Sequence, residues 1–151
     1  MFLKKCWCSL LMVSLVLCCL SVPAVAFDSG AIPMDELDNK AVVEPVLTWE
    51  NQVGARVTKS LNISVAAGRL SRSSDSFSLD VGDTVTYDCV YSPASANVNY
   101  GVIAPDGRFY SLNTSNGRLN GAIRVSQRGS YSLAVRNNST STVRVSGFVN
   151  Y

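Results

Sequence analysis

The sequence contains no histidine. That removes the commonest general base, the usual activator of a nucleophilic cysteine and the most frequent nitrogen ligand for metals. Glutamate is missing after Glu50, so the rest of the chain carries five acids: Asp75, Asp80, Asp83, Asp88 and Asp106. There is no phosphate-binding glycine loop, no G-x-S-x-G elbow, no C-x-x-C and no D-x-D-x-D-G calcium loop. Long hydrophobic runs are confined to the start of the chain, and helix-period patterning is absent beyond it. What remains is rich in serine, asparagine and alternating valines.

Cysteine is scarce where it would matter. Cys6, Cys8, Cys18 and Cys19 all lie at the beginning, and Cys89 is alone thereafter. Residues 1–26 read as an export signal peptide, with Lys4 and Lys5 before the apolar run Leu10 to Leu20 and small residues at Ala24-Val25-Ala26. Cleavage there leaves Phe27 as the first residue, no transmembrane segment in the mature chain, and a secreted or cell-surface location; the alternative is a leader kept as an uncleaved anchor, since Cys6 to Phe27 is nearly long enough to span a bilayer. The mature chain has one cysteine and hence no internal disulfide. At about 125 residues it is long enough to rely on one hydrophobic core.

Charge divides the mature chain. Residues 27–52 form an acidic arm or linker, with Asp28, Asp35, Glu36, Asp38, Glu44 and Glu50 against Lys40. Residues 53–151 carry the opposite bias and alternate with period two. Leu61, Ile63 and Val65 mark one run; Phe77, Leu79 and Val81 another; Val85, Tyr87, Cys89 and Tyr91 a third. Val98, Tyr100 and Val102 follow, then a run around Phe109, and three more centred on Leu119 to Val125, Tyr131 to Val135 and Val143 to Tyr151. Turn residues separate them at Gly82-Asp83, Pro105-Asp106-Gly107, Asn116-Gly117, Arg128-Gly129 and Asn137-Asn138. Ser71 to Ser76 reads as a polar loop. The expectation is an all-β, seven- to eight-stranded antiparallel β-sandwich, immunoglobulin-like or jelly roll.

Two stretches carry a resemblance. Gly82-Asp83-Thr84-Val85-Thr86-Tyr87-Asp88-Cys89 resembles strand B of immunoglobulin-like domains, and Arg128-Gly129-Ser130-Tyr131-Ser132-Leu133 resembles the tyrosine-corner strand F. Leu133 stands where the second cysteine would be, so the resemblance implies a sandwich without the inter-sheet disulfide. The stretch from Ser76 to Tyr151 is also similar to small uncharacterised proteins exported by Gram-positive bacteria, which implies no particular activity.

Chemistry is sparse. Cys89 has no base to make it a thiolate and sits on an apolar face, so it reads as a buried small hydrophobe. Asp83 and Asp106 belong to turns. No catalytic group, cofactor or metal site is expected. Binding surfaces fit better. Arg124, Arg136 and Arg144 each stand opposite a core-facing position on successive strands, which would make a basic stripe if those strands share a sheet. Of Phe109 and Tyr110 alternation turns one outward, and an outward Tyr110 could stack on a ligand. The expected function is a non-enzymatic binding module at the cell surface or in the medium. Its partner would be an unknown protein or an anionic cell-wall polymer or glycan. The alternatives are a carbohydrate-binding module and a secreted effector or inhibitor of another protein. Nucleic acid is not expected, since the basic bias lacks interleaved aromatics.

Overall fold

The computed structural model describes residues 30–42, 47–49 and 58–151. The export signal and its cleavage step lie outside them. Twelve strands run through the described residues: β1 (Ala31–Pro33), β2 (Asp38–Ala41), β3 (Leu47–Trp49), β4 (Thr58–Val65), β5 (Leu70–Ser73), β6 (Phe77–Leu79), β7 (Thr84–Ser92), β8 (Val98–Ile103), β9 (Arg108–Thr114), β10 (Arg118–Arg124), β11 (Gly129–Asn137) and β12 (Val143–Asn150). They form two facing sheets, one in the order β1-β10-β7-β12-β4 and the other β2-β9-β8-β11-β5-β3, with β6 also pairing β11. Most pairs are antiparallel; β1 with β10 and β3 with β5 are parallel. The molecule is an all-β sandwich.

The period-two runs become strands because each buries one face. β7 shows this best: Val85, Tyr87, Cys89 and Tyr91 point into the core while Thr86, Asp88 and Val90 face water. Facing residues come from β8 (Val98, Tyr100, Val102) and β11 (Tyr131, Leu133, Val135).

Without a disulfide the sheets are joined by two tyrosines that reach across the core in opposite directions. The Tyr87 hydroxyl on β7 donates to the Gly101 carbonyl on β8. Tyr100 on β8 donates back to the Asn120 carbonyl on β10, at 3.0 Å. Their rings meet edge to face with centroids 5.1 Å apart. Gly121 gives Tyr100 its room, since a Cβ there would lie 2.7 Å from the Tyr100 oxygen. The Tyr131 hydroxyl donates to Gln127 O at 2.7 Å, four residues upstream, which is tyrosine-corner geometry. The pairing of β7 with β10 and of β8 with β11 also follows the immunoglobulin plan. The last strand departs from that plan: β12 lies between β7 and β4 instead of beside β11.

Four strands lie outside the alternating runs. Ser71 to Ser73, read as loop, belong to β5, which pairs with β11 through Leu70 to Arg72 and with β3 through Ser71 to Ser73. Ser71 and Ser73 are buried, but their small polar side chains give no hydrophobic alternation to detect. The acidic arm is likewise no free linker across its described residues. β1 extends one sheet, β2 and β3 extend the other, and Met34 between β1 and β2 is completely buried in the core. Short strands lying on sheet edges, where both faces need not be apolar, leave little pattern in sequence.

Candidate functional site

Arg124, Arg136 and Arg144 do not form a stripe. β10 and β12 lie in the five-stranded sheet and β11 in the other, so Arg136 faces the opposite side of the molecule. There its Nε donates to Asn138 Oδ1 at 3.1 Å. Arg124 and Arg144 share a face but not an end. Arg124 is paired with Thr84 and Arg144 with Ser92, the two extremes of β7, which places them about 27 Å apart along that strand. Consecutive strands here alternate between sheets, and the stripe required them to be neighbours.

Tyr110 does not face outward either. The register pairs Val102 with Tyr110 and Ile103 with Phe109. Val102 points into the core, so Tyr110 does too, and its hydroxyl donates to Asp106 Oδ2 at 2.7 Å. That hydrogen bond to a carboxylate, then burial, pushes the Tyr110 pKa above its ordinary value. Phe109 takes the outward side, yet it is buried in a second small cluster with Leu70, Ile103 and Ala134, against which Val42 packs.

On this outer face of the β8–β9–β11 sheet lies a polar array. Asn113 Nδ2 donates to Asn97 Oδ1 (3.0 Å) and Asn99 Oδ1 (2.9 Å), and Asn138 Nδ2 donates to the same two oxygens. Asn99 Nδ2 in turn donates to Ser111 Oγ at 3.1 Å. These amides largely satisfy one another, which fixes the surface without leaving many groups for a ligand. The hollow beside them, between Lys40, Phe109 and Arg136, encloses about 30 Å³. A second hollow, of about 190 Å³, is walled by Ser78, Asp80, Asp83 and Arg128, and the Arg128–Asp80 ion pair (3.0 Å) closes on itself within it. Both are smaller than the ~300–1,000 Å³ of small-molecule sites.

The outer face of the five-stranded sheet differs. Its register places Arg118 opposite Val90, Ser146 opposite Val90 and Asn62, and Phe148 opposite Asp88 and Ser60. Phe148 is 54% exposed and Val90 52%, although β12 and β7 are interior strands of the sheet. Around them stand Thr86, Ser60, Asn62, Asn120 and Ser146, all exposed. Arg118 and Arg144 are exposed as well, and among the described residues neither has a salt-bridge partner. Gly147 holds β12 tight against β7 at this point, since a Cβ there would lie 2.4 Å from the Asp88 carbonyl oxygen and its φ is +148°. Beneath it Cys89 Sγ donates to Phe148 O at 3.4 Å. Burial pushes the Cys89 thiol from 9.0 up to about 11, so it is a core group and no nucleophile.

Sequence reasoning passed over Val90 and Arg118. Alternation alone marks both as outward, but only the sheet order shows that they are neighbours of Phe148 and Arg144. Among the described residues no group of three acids or cysteines is placed to hold a metal ion.

Fold and face together define a β-sandwich whose five-stranded sheet has an outer surface of mixed apolar and polar character. No protein-family model matches the chain, and no curated protein matches it in sequence. Among solved structures the chain is similar to Aeromonas hydrophila PliG, a periplasmic lysozyme inhibitor of g-type lysozyme. Identity is 18%, over 70% of this chain and 96% of that one, with a TM-score of 0.49. It is also similar to a mutant of the Escherichia coli protein PliG-Ec, another periplasmic inhibitor of g-type lysozyme, at 12% identity, the same coverage and a TM-score of 0.40. Likenesses this distant carry no argument about function.

Proposed function

We propose that this protein is an exported, non-enzymatic β-sandwich that binds another protein, as its inhibitor or effector, through the outer face of the five-stranded sheet. One observation carries the reading: Phe148 and Val90 are more than half exposed on interior strands, where a sheet face with no partner would ordinarily present polar side chains. The composition around them agrees in part. Protein interfaces favour aromatic residues and arginine and disfavour lysine, the acids and serine. The outward positions of β10, β7, β12 and β4 hold Phe148 and three arginines with no lysine and no glutamate, alongside Asp88 and four serines. Four strands nine residues long or shorter give a surface on the order of 500 Å². That suits a macromolecular partner at the small end of specific interfaces and far exceeds what a small substrate covers. Export rests on the leader read from Lys4 to Ala26.

The test is capture from the extracellular fraction of the host with wild-type protein and with Phe148→Ser/Val90→Ser. A protein retained by the first and lost from the second supports the reading. Identical retention, or retention of polysaccharide in place of protein, rejects it. Purified g-type lysozyme, the target named for the two similar structures, is a defined probe for the same pair of proteins, with lysis of bacterial cell walls as the readout of inhibition.

A further inference from the structure

We infer that this face, given its reading as a protein-binding surface, receives an acidic protein surface, with Arg118 and Arg144 as paired carboxylate anchors. Arg118 is in register with Val90, and Arg144 with Ser92, on the two strands that flank β7. Two strand spacings and a two-residue offset put their Cα atoms about 12 Å apart, close enough for carboxylates of a single loop to meet both. A guanidinium offers a planar fork of donors that matches a carboxylate. Arg124 and Arg136 both have interactions within the protein. Arg118 and Arg144 have no ion-pair partner among the described residues. The one acid on the face, Asp88, lies opposite Phe148 and Asn120.

Val90 favours a protein over an acidic polysaccharide. It stands exposed beside Arg118, where a branched aliphatic side chain offers a sugar neither a hydrogen bond nor the flat face of an aromatic ring. It matches the apolar residue that flanks carboxylates on a protein loop. Phe148, diagonal to it on the neighbouring strand, extends the same apolar contact.

The experiment is a titration of the full chain with a random glutamate–tyrosine copolymer, an acidic polypeptide with apolar side chains, and separately with heparin. Arg118→Gln/Arg144→Gln should weaken copolymer binding about tenfold or more, because two charge-assisted contacts are lost. The charge-matched variant Arg69→Gln/Arg72→Gln, at exposed positions away from the face, should change it less than about twofold, as screening confines each charge to its neighbourhood. Copolymer binding in wild type should fall as salt rises from about 0.05 to about 0.5 M. Equal losses in the two double variants would show that net charge alone matters and overturn the inference. So would heparin binding with the same dependence on Arg118 and Arg144, or no copolymer binding at all. A Phe148→Ser variant separates the two readings. Loss of binding there with none in Arg118→Gln/Arg144→Gln removes the charged anchors and leaves the face as the binding surface.

Discussion

The crossed tyrosines make a quantitative demand. Tyr87→Phe keeps the ring and its edge-to-face contact with Tyr100 (5.1 Å) but deletes the hydroxyl that donates to Gly101 O in a fully buried setting. A buried acceptor losing its donor costs about 1–3 kcal/mol. Tyr100→Phe removes the 3.0 Å bond to Asn120 O, nearer the sheet margin, and belongs at the lower end of the same range of about 1–3 kcal/mol. Because the two rings touch, the double variant should depart from additivity by about 0.5 kcal/mol or more. Urea unfolding of the four proteins measures all three quantities, with midpoints falling at unchanged slope. In a domain of this size each kcal/mol also lowers Tm by about 3–6 °C. Tyr151→Phe is the comparison. Its ring stacks on Phe77 at 3.6 Å, its hydroxyl has no hydrogen-bond partner among the described residues, and its cost should stay within about 0.5 kcal/mol. If Tyr87→Phe were as neutral as Tyr151→Phe, the tyrosines would not be what joins the sheets.

Three further outcomes follow from the same core. Cys89 should resist thiol reagents in the native protein at pH 8, and react at once in denaturant; fast native labelling would contradict its burial. Its raised pKa also sets a sign. The stabilisation from the buried neutral thiol is fully present below the unfolded value of 9.0 and disappears as pH climbs through about 11. Burial also raises the Tyr87 pKa above its ordinary 10.0, so its contribution is lost from the same alkaline side. Gly147→Ala should destabilise by about 2 kcal/mol or more, since it adds both a main-chain clash and an unfavourable φ. Equilibrium unfolding checks it, and a neutral result would mean that β12 can move away from β7.

Much of this architecture was legible in residues. The alternation of Val85, Tyr87, Cys89 and Tyr91, and of Val143, Val145 and Val149, announces strands because one face of each is dry. Gly107 was legible as a turn residue: its φ is +77°, and Asp106 Oδ1 accepts from the Arg108 amide at 2.9 Å. β5 was hidden because Ser71 and Ser73 are buried without being apolar. The candidate site was hidden for another reason. Alternation tells which way Arg118, Arg136 and Phe148 point relative to their strand neighbours. It does not tell which sheet the strand joins, because main-chain hydrogen bonds do not depend on side-chain identity. Arg136 and Arg144 therefore looked adjacent and lie on opposite sides, while Arg118 and Arg144 looked unrelated and share a patch.

The docking of the arm bears on the order in which the chain folds. Ala31 pairs with Ala122, and Asp38 with Ser111, so the earliest described strands have partners far along the sequence. β1 and β2 gain nothing until β10 has met β7 and β9 has met β8, for only then do those edges exist. Long loop closures of this kind are slow and come late. Until they happen, β9 and β10 each present a row of unpaired amides and carbonyls, a template for any extended chain nearby. Met34, between β1 and β2, is buried in the core when the arm is docked. The docked arm thus covers Ala122 to Arg124 of β10 and Arg108 to Ser111 of β9, and over those stretches guards the sheets against edge-to-edge pairing.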